Sequence, residues 1–204
     1  MKIIKINNIH PETVNIERVK GFLKEGCTVV YPTDTVYGIG ANIYDEKAVL
    51  KVFSMKRRSK SKPLSICLSK IEDIKNVAYI NKKHEEVIKK LLPGPFTIIL
   101  EKKDVVSPFL TAGTDKIGIR IPDNKICMDL AEDFPITSTS ANLSGHEVQD
   151  SPRGILKQLG SSIDILLDAG ICENGFHSTV VDMTGKDLKI IREGSGYNIL
   201  SNII

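Results

Sequence analysis

Strand-like and helix-like patterns of apolar and polar positions alternate along this chain. Lys2 to Ile6 reads as a short strand, and Asn15 to Lys24 as an amphipathic helix closed by Gly26. Cys27 to Tyr31 is a buried strand that runs into Pro32. Asp45 caps a helix through about Met55, with Ala48, Val49, Val52 and Phe53 on one face. Pro63 to Leu68 is a strand, Ser69 caps a short helix, and Asn81 caps a longer one to Leu92 that Pro93-Gly94-Pro95 stops. Phe96 to Glu101, Lys116 to Ile121, Ile136 to Thr139, Ile163 to Leu167, Thr179 to Asp182 and Leu188 to Ile191 complete the strands. Ser151-Pro152 opens a helix as N-cap and first-turn proline.

This alternation predicts an α/β fold. Short hairpin-like connections near the C-terminus break a strict βαβ rhythm, so the sheet is expected to be mixed. With no internal repeat, low-complexity tract or Gly/Ser-rich linker, residues 1–204 are expected to form a single domain. Its 41% hydrophobic and 26% charged content is ordinary for a chain able to bury its own core. The net charge of +3 leans mildly toward anionic partners and does not by itself define a nucleic-acid binder. Apolar runs such as Phe96–Leu100 are only strand-length, so no membrane span is expected, and no signal-peptide core opens the chain. The four cysteines lie far apart without a CxxC pair and read as reduced thiols of a cytoplasmic protein. The four histidines lack HxxxH or HExxH spacing, so a zinc site built by the protein is not expected.

Three polar clusters follow predicted strands or helices. Thr33, Thr35 and Tyr37 alternate; in an extended segment their hydroxyls share one face and can seat a polar ligand, or the threonines can make local turns after Pro32. Lys56, Arg57, Arg58, Lys60 and Lys62 form a charge run. It is either a solvated face or, with Lys56 and Arg58 on one side of an extended segment, a grip on phosphate. Ser140 and Asn142 share a side within Ser138–Asn142, offering a hydroxyl and an amide, or a loop that caps itself. Arg120 stands in an apolar strand and needs a partner, either a buried acid or an anionic substrate. Gly38-Ile39-Gly40 lacks the third glycine of a dinucleotide fingerprint and predicts relief of crowding instead. The combination describes a site that holds a polyanion beside a small polar partner, with no nucleophile of its own.

Read together, Tyr31–Gly40 (YPTDTVYGIG), Lys56–Arg58 (KRR), Pro93–Thr97 (PGPFT), Ile117–Pro122 (IGIRIP), Ser138–Gly145 (STSANLSG), Ser178–Asp182 (STVVD) and Ile191–Gly194 (IREG) resemble the YrdC/TsaC family of threonylcarbamoyl-AMP synthases. The resemblance implies a twisted mixed sheet with flanking helices and a large open cleft. It implies a nucleotidyltransferase reaction in which L-threonine, bicarbonate and ATP give L-threonylcarbamoyl-AMP and pyrophosphate, with Mg²⁺ held mainly by the ATP phosphates. A threonylcarbamoyl-transferase complex would take the product to tRNA, and tRNA or double-stranded RNA are further candidate partners. The family's KxR pair falls on Lys56 and Arg58, with catalysis assigned to both. ATP is assigned to Lys56, Arg58, Lys62, Asn142, Ser151 and Arg192, and threonine to Thr35, Arg120, Ser140 and Ser178. The chain departs from the family at Lys62-Pro63-Leu64 and Cys67 and in a longer 146–150 link; Cys67 receives no role. A YciO-like protein, whose branch tends to lose the Ser-x-Asn pair, and a double-stranded-RNA module are the alternatives.

Overall fold

The order of strands across one ten-stranded sheet positions everything else. The computed structural model describes residues 1–172 and 175–200. In chain order the strands are β1 (Lys2–Lys5), β2 (Val29–Tyr31), β3 (Gly38–Gly40), β4 (Ser65–Cys67), β5 (Phe96–Glu101), β6 (Lys116–Arg120), β7 (Ile136–Ser140), β8 (Ile165–Asp168), β9 (Thr179–Asp182) and β10 (Lys189–Arg192). Across the sheet they run β1-β8-β2-β3-β7-β4-β6-β5-β9-β10, parallel at β1/β8, β8/β2, β4/β6 and β5/β9 and antiparallel elsewhere. The sheet is mixed, as the sequence pattern predicts, and it stays open, with β1 and β10 at its edges.

The helices begin where the caps predict. In α2 (Glu46–Met55) Asp45 Oδ1 accepts from Ala48 N at 3.1 Å, and in α4 (Lys82–Leu91) Asn81 Oδ1 accepts from His84 N at 2.9 Å. Ser151 Oγ accepts from Gly154 N at 3.3 Å to open α6 (Pro152–Leu159). Ser69 is a correction. The short helix is a 3₁₀ turn at Ile71–Asp73 leading into α3 (Ile74–Val77), and it starts after Lys70 without a side-chain cap. The helices α1 (Thr13–Lys24), α5 (Lys125–Leu130) and α7 (Tyr197–Leu200) complete the set. The pattern missed α5, whose six residues span too few turns to show a period, although Asn124 caps it through Cys127 N at 3.3 Å.

Alternation along the strands sends neighbouring residues into two cores. Val30, Ile66 and Leu166 join α2, α4 and α6 on one face, whereas Val29, Tyr31, Cys67, Ile165 and Leu167 meet α1 and α5 on the other. On that second face α1 and α5 cover only part of the sheet. Beyond them the residues in the same orientation are Ser65, Thr97, Gly118, Arg120, Ser138 and Ser140, and they floor an open cleft. Gly38 and Gly40 relieve crowding, but from side chains rather than from the ligand or neighbouring backbone that the sequence suggests. The Tyr31 ring lies across them, only 3.0 Å from where a Cβ at either would stand, and its hydroxyl donates to Thr137 O at 3.2 Å.

The end of α2 corrects the reading of the charge run. Lys56, Arg57 and Arg58 are not extended. Arg58 N reaches back to Phe53 O at 2.9 Å and Arg57 N to Ser54 O at 3.0 Å, a Schellman ending with Arg57 at φ +48°. This ending, rather than strand alternation, turns Lys56 and Arg58 into the cleft and leaves Arg57 exposed on a separate groove beside α6. A left-handed non-glycine residue costs about 1–2 kcal/mol, offset by the extra chain entropy that glycine has when unfolded. Arg57→Gly should therefore stabilise the protein by about 0.5–1 kcal/mol, and raise Tm by roughly 1–3 °C for a chain of this size. Thermal melts check this, and an unchanged or lower Tm would count against a strained turn.

Candidate active site

The cleft encloses about 820 Å³. Its walls come from the ends of β3, β4, β7 and β9, the residues after α2, and β10. Lys56 is the most enclosed cation, at 1% exposure. Its ammonium donates to Asn142 O at 2.7 Å, to Asn142 Oδ1 at 3.1 Å and to Ser140 O. Burial, then the charge of Arg58, pulls its pKa down to about 7. Three oxygen acceptors pull the other way, because only the charged amine offers three protons. Ser140 Oγ donates to Asn142 Oδ1 at 2.6 Å, while Asn142 Nδ2 donates to Leu143 O at 3.0 Å and His146 O at 2.7 Å. Lys56, Ser140 and Asn142 thus form one network, and the Asn142 amide is engaged within the protein.

Arg58 is held by main chain, with Nε on Lys62 O at 3.2 Å and Nη2 on Pro63 O at 2.8 Å. Arg192 grips Ser178 O through Nε at 3.1 Å and Nη2 at 2.9 Å, and touches Ser178 Oγ at 3.2 Å. Ser178 Oγ pairs with Thr97 Oγ1 at 2.8 Å. Burial lowers the pKa of both arginines, yet a guanidinium remains charged in proteins.

Arg120 meets an internal acid. Its Nη2 donates to Asp34 Oδ1 and to Thr35 Oγ1, both at 2.9 Å, with the two charged side chains each 9% exposed. Threonine is therefore not what completes its pairing, a correction to one of the two partners the strand position left open. Burial raises the pKa of Asp34 in spite of Arg120. Arg120 Nε and Ser138 Oγ remain buried without a partner.

The segment before β3 is not extended. Thr33 Oγ1 accepts from Thr35 N at 3.0 Å and donates to Val36 O at 2.7 Å, so the threonines turn locally. Tyr37 leaves their company. Its hydroxyl donates to Gly170 O at 2.8 Å and accepts from Ala169 N at 3.0 Å, tying this turn to the end of β8. Thr35 is fully buried, lies outside the cleft lining and reaches the cleft only through Arg120. Lys62 and Ser151 are not brought into the cleft either. Lys62 is exposed and contributes its carbonyl to Arg58, and Ser151 spends its hydroxyl oxygen on the α6 cap. Lys56, Arg58, Arg120, Ser140, Asn142, Ser178 and Arg192 do converge. Sequence reasoning missed Ser65, Thr97, Ser138 and His177 on the lining. The first three alternate with core residues, a signal that was present in the strand pattern.

Fold and cleft together define an open-sheet α/β protein whose cleft sets four cations, Lys56, Arg58, Arg120 and Arg192, beside hydroxyl groups. The chain belongs to the Sua5/YciO/YrdC family, whose model, described as "Telomere recombination", matches residues 21–194. The threonylcarbamoyl-AMP synthase of Pyrococcus abyssi is 36% identical over 186 residues, covering 90% of this chain and 55% of its own. A Methanocaldococcus jannaschii protein that carries the same name provisionally is 42% identical over 197 residues, 95% of this chain and 93% of its own. The chain thus spans about half the length of the Pyrococcus relative and nearly all of the other. Among solved structures, P. abyssi Sua5 complexed with L-threonine superposes with a TM-score of 0.94 at 33% identity, covering 100% of this chain and 61% of that one. E. coli YciO superposes at 0.89 with 25% identity, covering 96% and 97%.

Removing Arg120 takes away the only cation paired with Asp34 among the described residues, while Asp123 N still donates to its other oxygen at 3.1 Å. Arg120→Ala should cost about 3 kcal/mol of stability at neutral pH, the lower end for a broken buried pair. The sign of its pH dependence follows from the raised pKa of Asp34. Without the guanidinium that pKa rises further, so the folded state takes up a proton before the unfolded state does, and the deficit shrinks as pH falls from 7 toward 5. Urea unfolding at both pH values reads this. A deficit that is the same at pH 7 and pH 5, or not reduced in Arg120→Ala/Asp34→Asn, would refute it.

Proposed function

We propose that this chain is a threonylcarbamoyl-AMP synthase, joining L-threonine, bicarbonate and ATP into L-threonylcarbamoyl-AMP and pyrophosphate. The observation that carries the reading is the cleft itself. Lys56, Arg58, Arg120 and Arg192 converge beside the Thr97–Ser178 hydroxyl pair, in a chain that superposes on a Sua5 structure holding L-threonine. A threonine carbamate brings its own nucleophilic oxygen to the α-phosphorus. What the protein must supply is alignment, charge for the pyrophosphate that leaves, and shelter from water.

Threonine belongs at the hydroxyl end, near Thr97, Ser178 and Ser140, which line the cleft together. Arg58 and Arg192 face the phosphates with charge that neutral carbonyls position but do not cancel. Lys56 adds charge and holds the Ser140–Asn142 loop against the nucleotide side. Asp115 is the one carboxylate on the described lining, and among the described residues no three His, Cys, Asp or Glu are grouped so as to hold a metal ion. That donor set fits Mg²⁺ carried chiefly by ATP phosphates, where it would neutralise charge on the leaving group. The product would pass to a threonylcarbamoyl-transferase complex for tRNA modification, in the cytoplasm; among the described residues no helix is long and apolar enough to cross a membrane. The YciO fold is nearly as similar, so fold alone does not separate the two readings. The intact Lys56–Ser140–Asn142 network favours the synthase.

Pyrophosphate release from ATP should require both threonine and bicarbonate. Valine, which keeps the shape but lacks the hydroxyl, should be disfavoured by about 1–3 kcal/mol for each polar group left unpaired. Arg58→Ala should lower turnover on the order of 10²-fold, as loss of one electrostatic donor does, whereas Arg57→Ala should leave it within about twofold of the parent. Release that ignores threonine, or equal turnover with valine, would overturn the assignment.

A further inference from the structure

His177 occupies the cleft wall immediately before Ser178, and neither the strand pattern nor the family motifs single it out. Its main chain is locked. Ser195 N donates to His177 O at 2.7 Å, and Ser178 bridges to Ser195 in parallel. Gly194 approaches so closely that a Cβ there would collide with the His177 carbonyl. Gly194 N in turn donates to Thr179 Oγ1 at 3.1 Å, and Thr179 Oγ1 donates to Ser195 O at 2.8 Å, so the 194–195 segment is tied to the chain at both His177 and Thr179. The ring is half-buried and, unlike every cation on the wall, makes no hydrogen bond among the described residues. A side chain with a fixed root and unspent nitrogens on a cleft wall is available to a ligand.

The charged groups whose fields reach it are those of Arg192 on β10, Lys56 after α2 and Arg120 on β6, all on the same cleft lining. Burial first, and then these three cations, lowers the pKa of His177. The imidazole is therefore neutral near pH 7 and able to accept a proton. The other candidate acceptors on the lining are worse placed. His146 is exposed on the nucleotide side beside Asn142, and Asp115 is exposed next to Lys116. His177 adjoins the Thr97–Ser178 hydroxyl pair where the amino acid belongs.

Threonine reaches the protein as an ammonium ion, which has no lone pair with which to form a carbamate. We propose that His177 is the base that removes this proton. The inference rests on the synthase reading above. The ammonium N–H bond breaks and the proton moves to the unprotonated ring nitrogen. The freed lone pair adds to carbon dioxide released from bicarbonate, and the second amine proton joins the hydroxide left by that release to form water. Threonine ammonium, bicarbonate and neutral imidazole thus give carbamate, imidazolium and water, with atoms and charge balanced. The surrounding cations keep the imidazole neutral beforehand and hold the carbamate anion afterward, and the carbamate's negative charge offsets the repulsion they exert on the imidazolium.

The test compares the parent protein with His177→Gln and His177→Ala, following threonine- and bicarbonate-dependent pyrophosphate release from pH 6 to pH 9. Both variants should lose on the order of 10²-fold in kcat at pH 7, the usual share of a general base, with KM for ATP unchanged. Their rates should climb steadily with pH as free threonine sheds its own proton, so that the deficit narrows toward pH 9. Added imidazole should restore part of the rate in His177→Ala but not in His177→Gln, whose side chain fills the space. Parent-like turnover and pH profile in both variants would overturn the assignment, as would a deficit that neither pH nor imidazole reduces. A parent protein that releases pyrophosphate without threonine would instead remove the synthase reading itself, and the two failures are thereby distinguished.

Discussion

A lysine ammonium at 1% exposure has to be surrounded by oxygen, and the arrangement of this cleft follows from how Lys56 meets that requirement. Its three acceptors all come from residues 140 and 142, so the end of α2 and the end of β7 cannot separate without stranding a buried charge. The Ser140–Asn142 loop is shaped around that ammonium. The Schellman ending of α2 delivers Lys56 to it and places Arg58, two residues on, on the same cleft lining. A hydrophobic residue at 56 would fill the space and lose both the charge and the loop geometry.

The acceptors chosen for the cleft's cations share a property. Lys56, Arg58 and Arg192 bond to carbonyl and amide oxygens, which satisfy their donors without neutralising them. Only Arg120 and the exposed Lys116 are matched by carboxylates: Asp182 meets Lys116 at 2.9 Å, and Asp34 approaches Arg120 from the side of the turn rather than from the cleft. Charge is thereby fixed in place and left uncompensated where an anion would lie. The arrangement keeps the geometry prepared in advance, which is where electrostatic catalysis gains most over water. It also explains how a chain of only +3 net charge presents a strongly cationic interior.

The elements and caps of this fold were largely readable because their signals are local: Asp45, Asn81 and Ser151 each cap the helix they precede, and Phe96–Glu101 and Thr179–Asp182 are strands with the expected bounds. What failed depended on contacts far apart in sequence. Thr35 carries a hydroxyl at an attractive spacing, but a guanidinium 85 positions away claims it. Lys62 and Ser151 stand beside motif residues, yet their side chains face solvent and a helix end. The convergence of Lys56 and Arg58 was anticipated for the wrong reason, since a helix ending and not a strand aims them. His177 was passed over because an unpaired imidazole is a property of its surroundings, and nothing in the sequence records those surroundings.

The strand order has a consequence for how the protein is made. β8, at residues 165–168, lies between β1 and β2 and pairs in parallel with both, so the two earliest strands never pair with each other. β3 likewise waits for β7, and β5 for β9. On a ribosome the first 160 residues emerge with the edges of β1 and β2 still open, and pairings this distant in sequence form slowly. The strands that floor the cleft, β7, β4, β6 and β5, can pair before β8 is made, so it is the β1–β2 side of the sheet that closes late. A chain cut or stalled shortly before β8 would present sticky, half-paired strands in place of a weakened enzyme, and would draw on chaperones rather than on substrate.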